Sequence, residues 1–152
     1  MTDFDAFAHE THMRRAIELA REAADRGDRP FGSVLVRDDE IVMEASNRVV
    51  TEDDVRRHPE LDLAQRARRE LDPEERAETV LYTSTEPCPM CAGGIRHAGL
   101  GRVVYSVSGR EIGAFTGGDT PVQSAAILAG VTEVVGPVLP EAGRAVHEAF
   151  DW

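Results

Sequence analysis

Two short motifs carry residue types able to do chemistry: His58-Pro59-Glu60, and Cys88-Pro89-Met90-Cys91 thirty positions later. The two cysteines are the only ones in the chain, so a disulfide framework is excluded and the pair reads as either a metal site or a dithiol redox motif. CPMC alone does not separate these readings; His58 does. One imidazole and two thiolates make three zinc ligands and leave the fourth tetrahedral corner for water, the arrangement of a catalytic rather than a structural site. The spacing therefore predicts one Zn2+ per chain, held by His58, Cys88 and Cys91. Zinc brings its bound water toward a pKa of roughly 7, which makes hydroxide available at neutral pH. Glu60, two residues past His58, is near enough to reach that water and is the candidate proton shuttle.

The motifs need elements that bring them together. Met13, Ala16, Ile17, Ala20 and Ala23 recur at helical spacing, predicting a helix capped by Thr11 and stopped by Gly27. Ser33 to Arg37 and Ile41 to Ser46 read as strands joined by a tight Asp38-Asp39 turn. A helix is expected from His58 to Leu71, with Pro59 in its first turn, and Asp72-Pro73 ends it. Thr79 to Ser84 and Arg102 to Val107 are the third and fourth strands, flanking a helix that begins at the cysteines and ends near Gly99. REIGAFTGGDTP has no periodicity and is expected to be a functional loop. A short helix (Val122 to Gly130), a fifth strand (Glu133 to Val138) and a last helix (Pro140 to Phe150) complete the chain. A hairpin followed by alternating helices and strands predicts an α/β fold, a three-layer α/β/α sandwich on a five-stranded mixed sheet. Length and the absence of a linker predict a single domain over residues 1–152. In such a layer helix N-termini gather where strands finish, so both reactive helix starts can meet; they also carry partial positive charge that favours thiolates.

H-P-E followed by P-C-P-M-C resembles the H-x-E and P-C-x-x-C signature of the zinc-dependent cytidine and deoxycytidylate deaminase superfamily. PFGSVLV, Asn47 and TEPCPMCAGGI extend the likeness, from about Arg14 to Tyr105, toward the branch of guanine deaminases, fungal-type cytosine deaminases and tRNA adenosine deaminases. The resemblance implies a cytidine-deaminase-like fold whose last two strands run parallel. It implies hydrolytic deamination of a heterocycle by a zinc-bound hydroxide, with Glu60 moving protons from water to ring nitrogen and leaving amine. It also implies that Asn47 hydrogen-bonds the base, that Phe31 walls the pocket, and that Glu86 and Pro87 present backbone to the amine. In guanine-deaminase-like relatives the C-terminal tail helps close the site, which makes Glu148, Asp151 and Trp152 pocket candidates. Pro59 departs from the usual alanine, and any ligand contact by that N–H is absent.

The expected substrate is a small-molecule free base or related aminated heterocycle of guanine or cytosine type, and the alternative is a tRNA-specific adenosine deaminase. With 28 acidic residues against 17 basic ones the formal charge is −11, which disfavours a phosphate backbone without excluding nucleic acid. The acidic EAFDW end and Pro59 point the same way. No apolar run suits a membrane and the N-terminus lacks signal-peptide character, so a cytoplasmic protein is expected. Relatives pair through helices flanking the cysteine motif, so a homodimer is expected. His9 and His12 are expected on the surface of the first helix, His97 away from the metal, and Arg56 and Arg57 in a solvated loop. A thiol redox protein and a zinc-retaining, non-catalytic binding module are the rival classes.

Overall fold

Apolar residues alternate along the central strands, and that alternation sorts the helices onto two faces. The computed structural model describes residues 2–118 and 122–152. Strands β1 (Gly32–Arg37), β2 (Glu40–Ser46), β3 (Thr79–Thr85), β4 (Arg102–Val107) and β5 (Glu133–Val135) form a sheet in the order β2-β1-β3-β4-β5. The β1/β2 and β1/β3 pairs are antiparallel, and β3/β4 and β4/β5 are parallel. The hairpin turns on Asp38 and Asp39, both at positive φ, as a two-residue connection between right-twisted strands requires. The helices are α1 (His9–Arg26), α2 (Val49–Glu52), α3 (Pro59–Glu70), α4 (Pro73–Ala77), α5 (Pro89–Ala98), α6 (Gly109–Thr116), α7 (Ser124–Leu128) and α8 (Pro140–Glu148).

Val34, Val36, Val80, Tyr82 and Val104 point to one face and bury Met13 and Ile17 of α1 and Val146 of α8. Leu35, Leu81 and Val103 point to the other and bury Leu63 of α3, Ile95 of α5 and Leu128 of α7. The result is the expected three-layer sandwich, its period-2 strands feeding two separate cores. At the start of β1 the α1 backbone lies against the sheet: a Cβ on Gly32 would press on the Ala16 carbonyl and sit 2.5 Å from the Ala20 nitrogen. Among the described residues no helix is long and apolar enough to cross a membrane.

Several expectations need correction. The segment expected to be a loop after β4 forms α6, because Ser108 caps it by accepting from the Glu111 N–H at 3.2 Å and Gly117 stops it at φ 70°. Residues 119–121 of that stretch lie outside the described residues. His12 is buried rather than on the surface: its Nε2 lies 2.7 Å from Asp39 Oδ1 and its ring packs on Tyr82, whose hydroxyl is 2.6 Å from His9 Nδ1. Asp72-Pro73 ends α3 and also opens α4 through a capping box with Glu75. α1 begins two residues before Thr11, α7 is limited to five residues, β5 stops at Val135, and α8 ends at Glu148.

The topology fixes where function can sit. Because β1 is antiparallel to both neighbours, its N-terminal end shares an edge with the C-terminal ends of β2, β3 and β4. Phe31, Asn47, Thr85 and Ser108 all leave the sheet at that edge.

Candidate metal centre and active site

Each metal-binding candidate is held by a helix start. His58 is the N-cap of α3 in extended conformation, and Pro59 at the first helical position has its φ preset for the turn. Cys88 is the N-cap of α5 and Cys91 lies in its first turn. His58 Nδ1 is 3.8 Å from Cys88 Sγ and 3.6 Å from Cys91 Sγ, and the three ligand atoms lie within 4.8 Å of one another. Zinc bonded tetrahedrally at about 2.3 Å to sulfur and 2.0–2.1 Å to nitrogen sets S···N separations near 3.6 Å and S···S separations near 3.8 Å. The observed separations fit that ion, and the borderline-soft donor set suits zinc.

The charges are arranged for it as well. Cys88 is pushed down to about 4, chiefly by its hydrogen bond with Cys91 and then by His58, against the opposing effect of burial. The remaining proton of the sulfur pair sits on Cys91, which Cys88 pushes up. His58 is raised by its hydrogen bond to Cys88. The Cys88 thiolate is thus stabilised by Cys91 and His58 before any metal arrives.

Glu60, in the first turn of α3, is 6% exposed. Burial pushes its carboxyl up, and the nearby Cys88 charge adds to the effect. Its Oε1 accepts from Thr83 Oγ1 at 3.0 Å and Ser33 Oγ at 3.2 Å.

His58, Pro59, Glu60 and Cys88 line one cavity of about 170 Å³, closed by Phe31 and Arg29 before β1, Thr85 and Glu86 at the end of β3, and Ile112 and Thr116 of α6. That volume lies below the ~300–1,000 Å³ of sites for drug-sized ligands. A larger groove of about 470 Å³ between α1 and α8 contains none of the metal-binding candidates.

The other candidates are distributed unevenly. Asn47 is 1% exposed; its N–H donates to the Phe31 carbonyl at 2.9 Å and its Oδ1 accepts from Val49 N at 3.0 Å, so it ties the Phe31 wall to α2. Glu86 accepts from Gly109 N at 3.0 Å and from Ser124 Oγ, joining the pocket floor to α6 and α7, and Pro87 is buried beside it. Of the tail candidates Trp152 alone meets the pocket wall, its ring 6.0 Å from Phe31 and 5.8 Å from His147. Glu148 is exposed on α8, and Asp151 lines the separate α1/α8 groove. His97 is exposed beside Leu61 and Gly94, away from the ligands. Arg56 pairs with Asp54, and Arg57 with Glu52 and Asp62.

Sequence reasoning missed Ser33, Thr83, Thr85, Arg29, Ile112, Thr116 and the buried His147. Ser33 and Thr83 did leave a signal, as hydroxyls inside the apolar runs GSVLV and VLYTS. Ile112 and Thr116 are one turn apart and could be found only once α6 was known to be helical.

The model of the cytidine and deoxycytidylate deaminase zinc-binding region matches residues 7–107. The chain belongs to that deaminase family. As a family member it is a hydrolytic deaminase with a zinc-binding domain, in which His58, Cys88 and Cys91 are placed so that they could hold the ion. It is similar to a probable cytosine deaminase of Schizosaccharomyces pombe, 34% identical over 151 residues that cover 91% of this chain and 90% of the relative. It is also similar to a tRNA-specific adenosine deaminase of Agrobacterium fabrum, 35% identical over 73% of this chain and 74% of the relative. Among solved structures, the guanine deaminase of Bacillus subtilis aligns with a TM-score of 0.65 at 35% identity, covering 72% of this chain and 71% of that one. The chain is thus similar to proteins named for three different substrates.

Proposed function

We propose that this deaminase hydrolyses the exocyclic amine of a free nucleobase or related aminated heterocycle, of guanine or cytosine type, and releases ammonia. The observation that carries the reading is a buried carboxylate, Glu60, set beside the three metal-binding atoms inside a cavity of only about 170 Å³. Held by His58, Cys88 and Cys91, zinc supplies an acidified water and a Lewis acid at the pocket floor. Glu60 takes a proton from the attacking water, returns it to the ring nitrogen, and moves the second proton to the departing amine, so water and R–NH2 become the carbonyl product and NH3. Burial favours the protonated form that the second half of this cycle needs.

Phe31 offers a ring face for stacking, and Asn47 and the Glu86-Pro87 backbone are the polar contacts to base and amine. Pro59 contributes wall but no N–H donor. Trp152 extends the Phe31 wall, while Glu148 and Asp151 remain peripheral in this reading. Residues 1–152 act as one domain, in the cytoplasm. We also infer a homodimer, on the pairing that the family resemblance implies and the hollow beside His97 between α3 and α5.

The test is ammonia release from guanine, cytosine and their aminated analogues, run beside a tRNA anticodon stem-loop. Turnover of a free base with none of the stem-loop supports the reading; the reverse establishes the tRNA adenosine deaminase alternative, which the Agrobacterium relative favours. In Glu60→Gln, activity should fall by at least about a thousandfold while zinc stays near one per chain. Unchanged activity would remove Glu60 from the chemistry, and a metal-free native protein with a titratable Cys88–Cys91 disulfide would support the redox alternative.

A further inference from the structure

Ser33 and Thr83 face each other across the antiparallel β1/β3 pair. Both are 0% exposed. They share a sheet face with Leu35 and Leu81, the face covered by α3 and α5. Two hydroxyls in that apolar setting are costly unless they are hydrogen-bonded. Their oxygens are 2.9 Å apart, and both reach the same atom, Glu60 Oε1, at 3.2 Å from Ser33 and 3.0 Å from Thr83. Each hydroxyl has one proton to donate; with both directed at Oε1, the Thr85 carbonyl, 3.0 Å from Thr83 Oγ1, is the competing acceptor for the Thr83 proton.

We propose that Ser33 and Thr83 are positioning residues that pin Oε1 of Glu60 from beneath and so commit the other oxygen, Oε2, to proton transfer. The proposal rests on the role of Glu60 given above. A glutamate has three side-chain torsions, and ordering them costs free energy unless contacts hold the group. Two hydroxyl donors on one carboxylate oxygen are charge-assisted bonds, which do this with defined geometry. The anchor comes from the sheet while the zinc ligands come from helix starts. The carboxylate is therefore referenced to a different layer from the metal, and losing the anchor moves the base without moving the ligands.

The test uses the full-length zinc-loaded protein with guanine and cytosine as probe substrates, in Ser33→Ala, Thr83→Val, the double variant and Thr83→Ser. The double variant should lose about ten- to a hundredfold in kcat, the cost of misplacing a reacting group by about 1 Å, with KM and zinc content little changed. Thr83→Ser should restore kcat to within about threefold of wild type, because it returns the hydroxyl. In a Glu60→Gln background the same substitutions should have no further effect, as expected for residues acting through one group. A crystal structure of the zinc-loaded double variant should show the Glu60 carboxylate displaced or spread over several rotamers. A kcat change below about twofold, a rise in KM alone, or an unmoved Glu60 overturns the proposal. The crystallographic readout needs no substrate, so inactivity of the wild-type protein toward both bases would count against the proposed function while the position of Glu60 still decides the anchor.

Discussion

Asp28→Asn should weaken both the fold and the rim of the pocket. Asp28 is 0% exposed. Its Oδ1 accepts from Val50 N at 3.1 Å and Thr51 N at 2.9 Å, and its Oδ2 from Arg26 Nε at 2.8 Å and Thr51 Oγ1 at 2.9 Å. An asparagine accepts on one atom only. With its oxygen toward the backbone, its amide hydrogens meet the Arg26 N–H, donor against donor; flipped, they meet two backbone N–H groups. The Thr51 hydroxyl can turn to accept, but the bond from Arg26 and its charge partner are lost. A hydrogen bond to a charged group contributes roughly 1.5–3 kcal/mol, so the loss is about 3 kcal/mol, or roughly 6–12 °C in Tm for a chain of this size.

The pH dependence of that loss has a definite sign. Burial alone would raise the Asp28 carboxyl, but the hydrogen bonds from Thr51 and Arg26 overcome it and hold the group below its ordinary 3.8. Its contribution is therefore complete above pH 3.8 and disappears as pH falls through the lower folded-state value. Calorimetry on metal-stripped wild type and variant keeps zinc loss out of the acid limb. Equal melting temperatures at pH 7, or a gap that does not narrow in acid, would refute the reasoning. Arg26 also donates to the Asn47 carbonyl at 2.8 Å, so in the zinc-loaded enzyme KM should rise more than kcat falls.

Cys91→Ser should drop zinc from near one per chain to almost none after mild chelation and lower Tm, because one of three ligands is lost; full occupancy by elemental analysis would contradict the assigned site. His147, 1% exposed with Nε2 3.2 Å from Thr85 Oγ1, is pushed down by burial to about 4. The unfolded chain therefore protonates first, so its contribution is whole above about 6.5 and roughly 3 kcal/mol is lost as pH falls to about 4. His147→Phe should flatten that part of the stability profile, and an identical acid slope in urea titrations of both proteins would rule the assignment out.

The metal centre was readable in the sequence because zinc fixes residue types and the helix starts supply their own punctuation, Pro59 and Pro89. All five strands were readable because short β-branched and apolar runs between turn residues mark them. The pocket walls were less legible. α6 was hidden by its glycines and is set by its Ser108 cap and by tertiary contact through Glu86 and Arg144, which lie 23 and 33 positions from their partners. His12 and His147 look like surface histidines on amphipathic helices, and only packing against Tyr82 and the Phe31–Trp152 cluster accounts for their burial. Asn47 was read as a ligand contact from resemblance, and the structure adds a second part for it, its side-chain oxygen accepting from the Val49 N–H two residues on.

The three metal ligands and Glu60 occupy only the first turns of α3 and α5, whereas the walls facing them come from residues 29–31, from α6 and, through the Phe31–Trp152 contact, from the last residue of the chain. Phe31, Ile112, Thr116 and Trp152 thus lie on stretches of polypeptide apart from the metal motifs, while Pro59, Thr85 and Glu86 line the cavity beside them. Exchanging residues 29–31, α6 or the C-terminal residues for those of a relative is therefore expected to alter substrate choice while His58, Cys88, Cys91 and Glu60 keep their places.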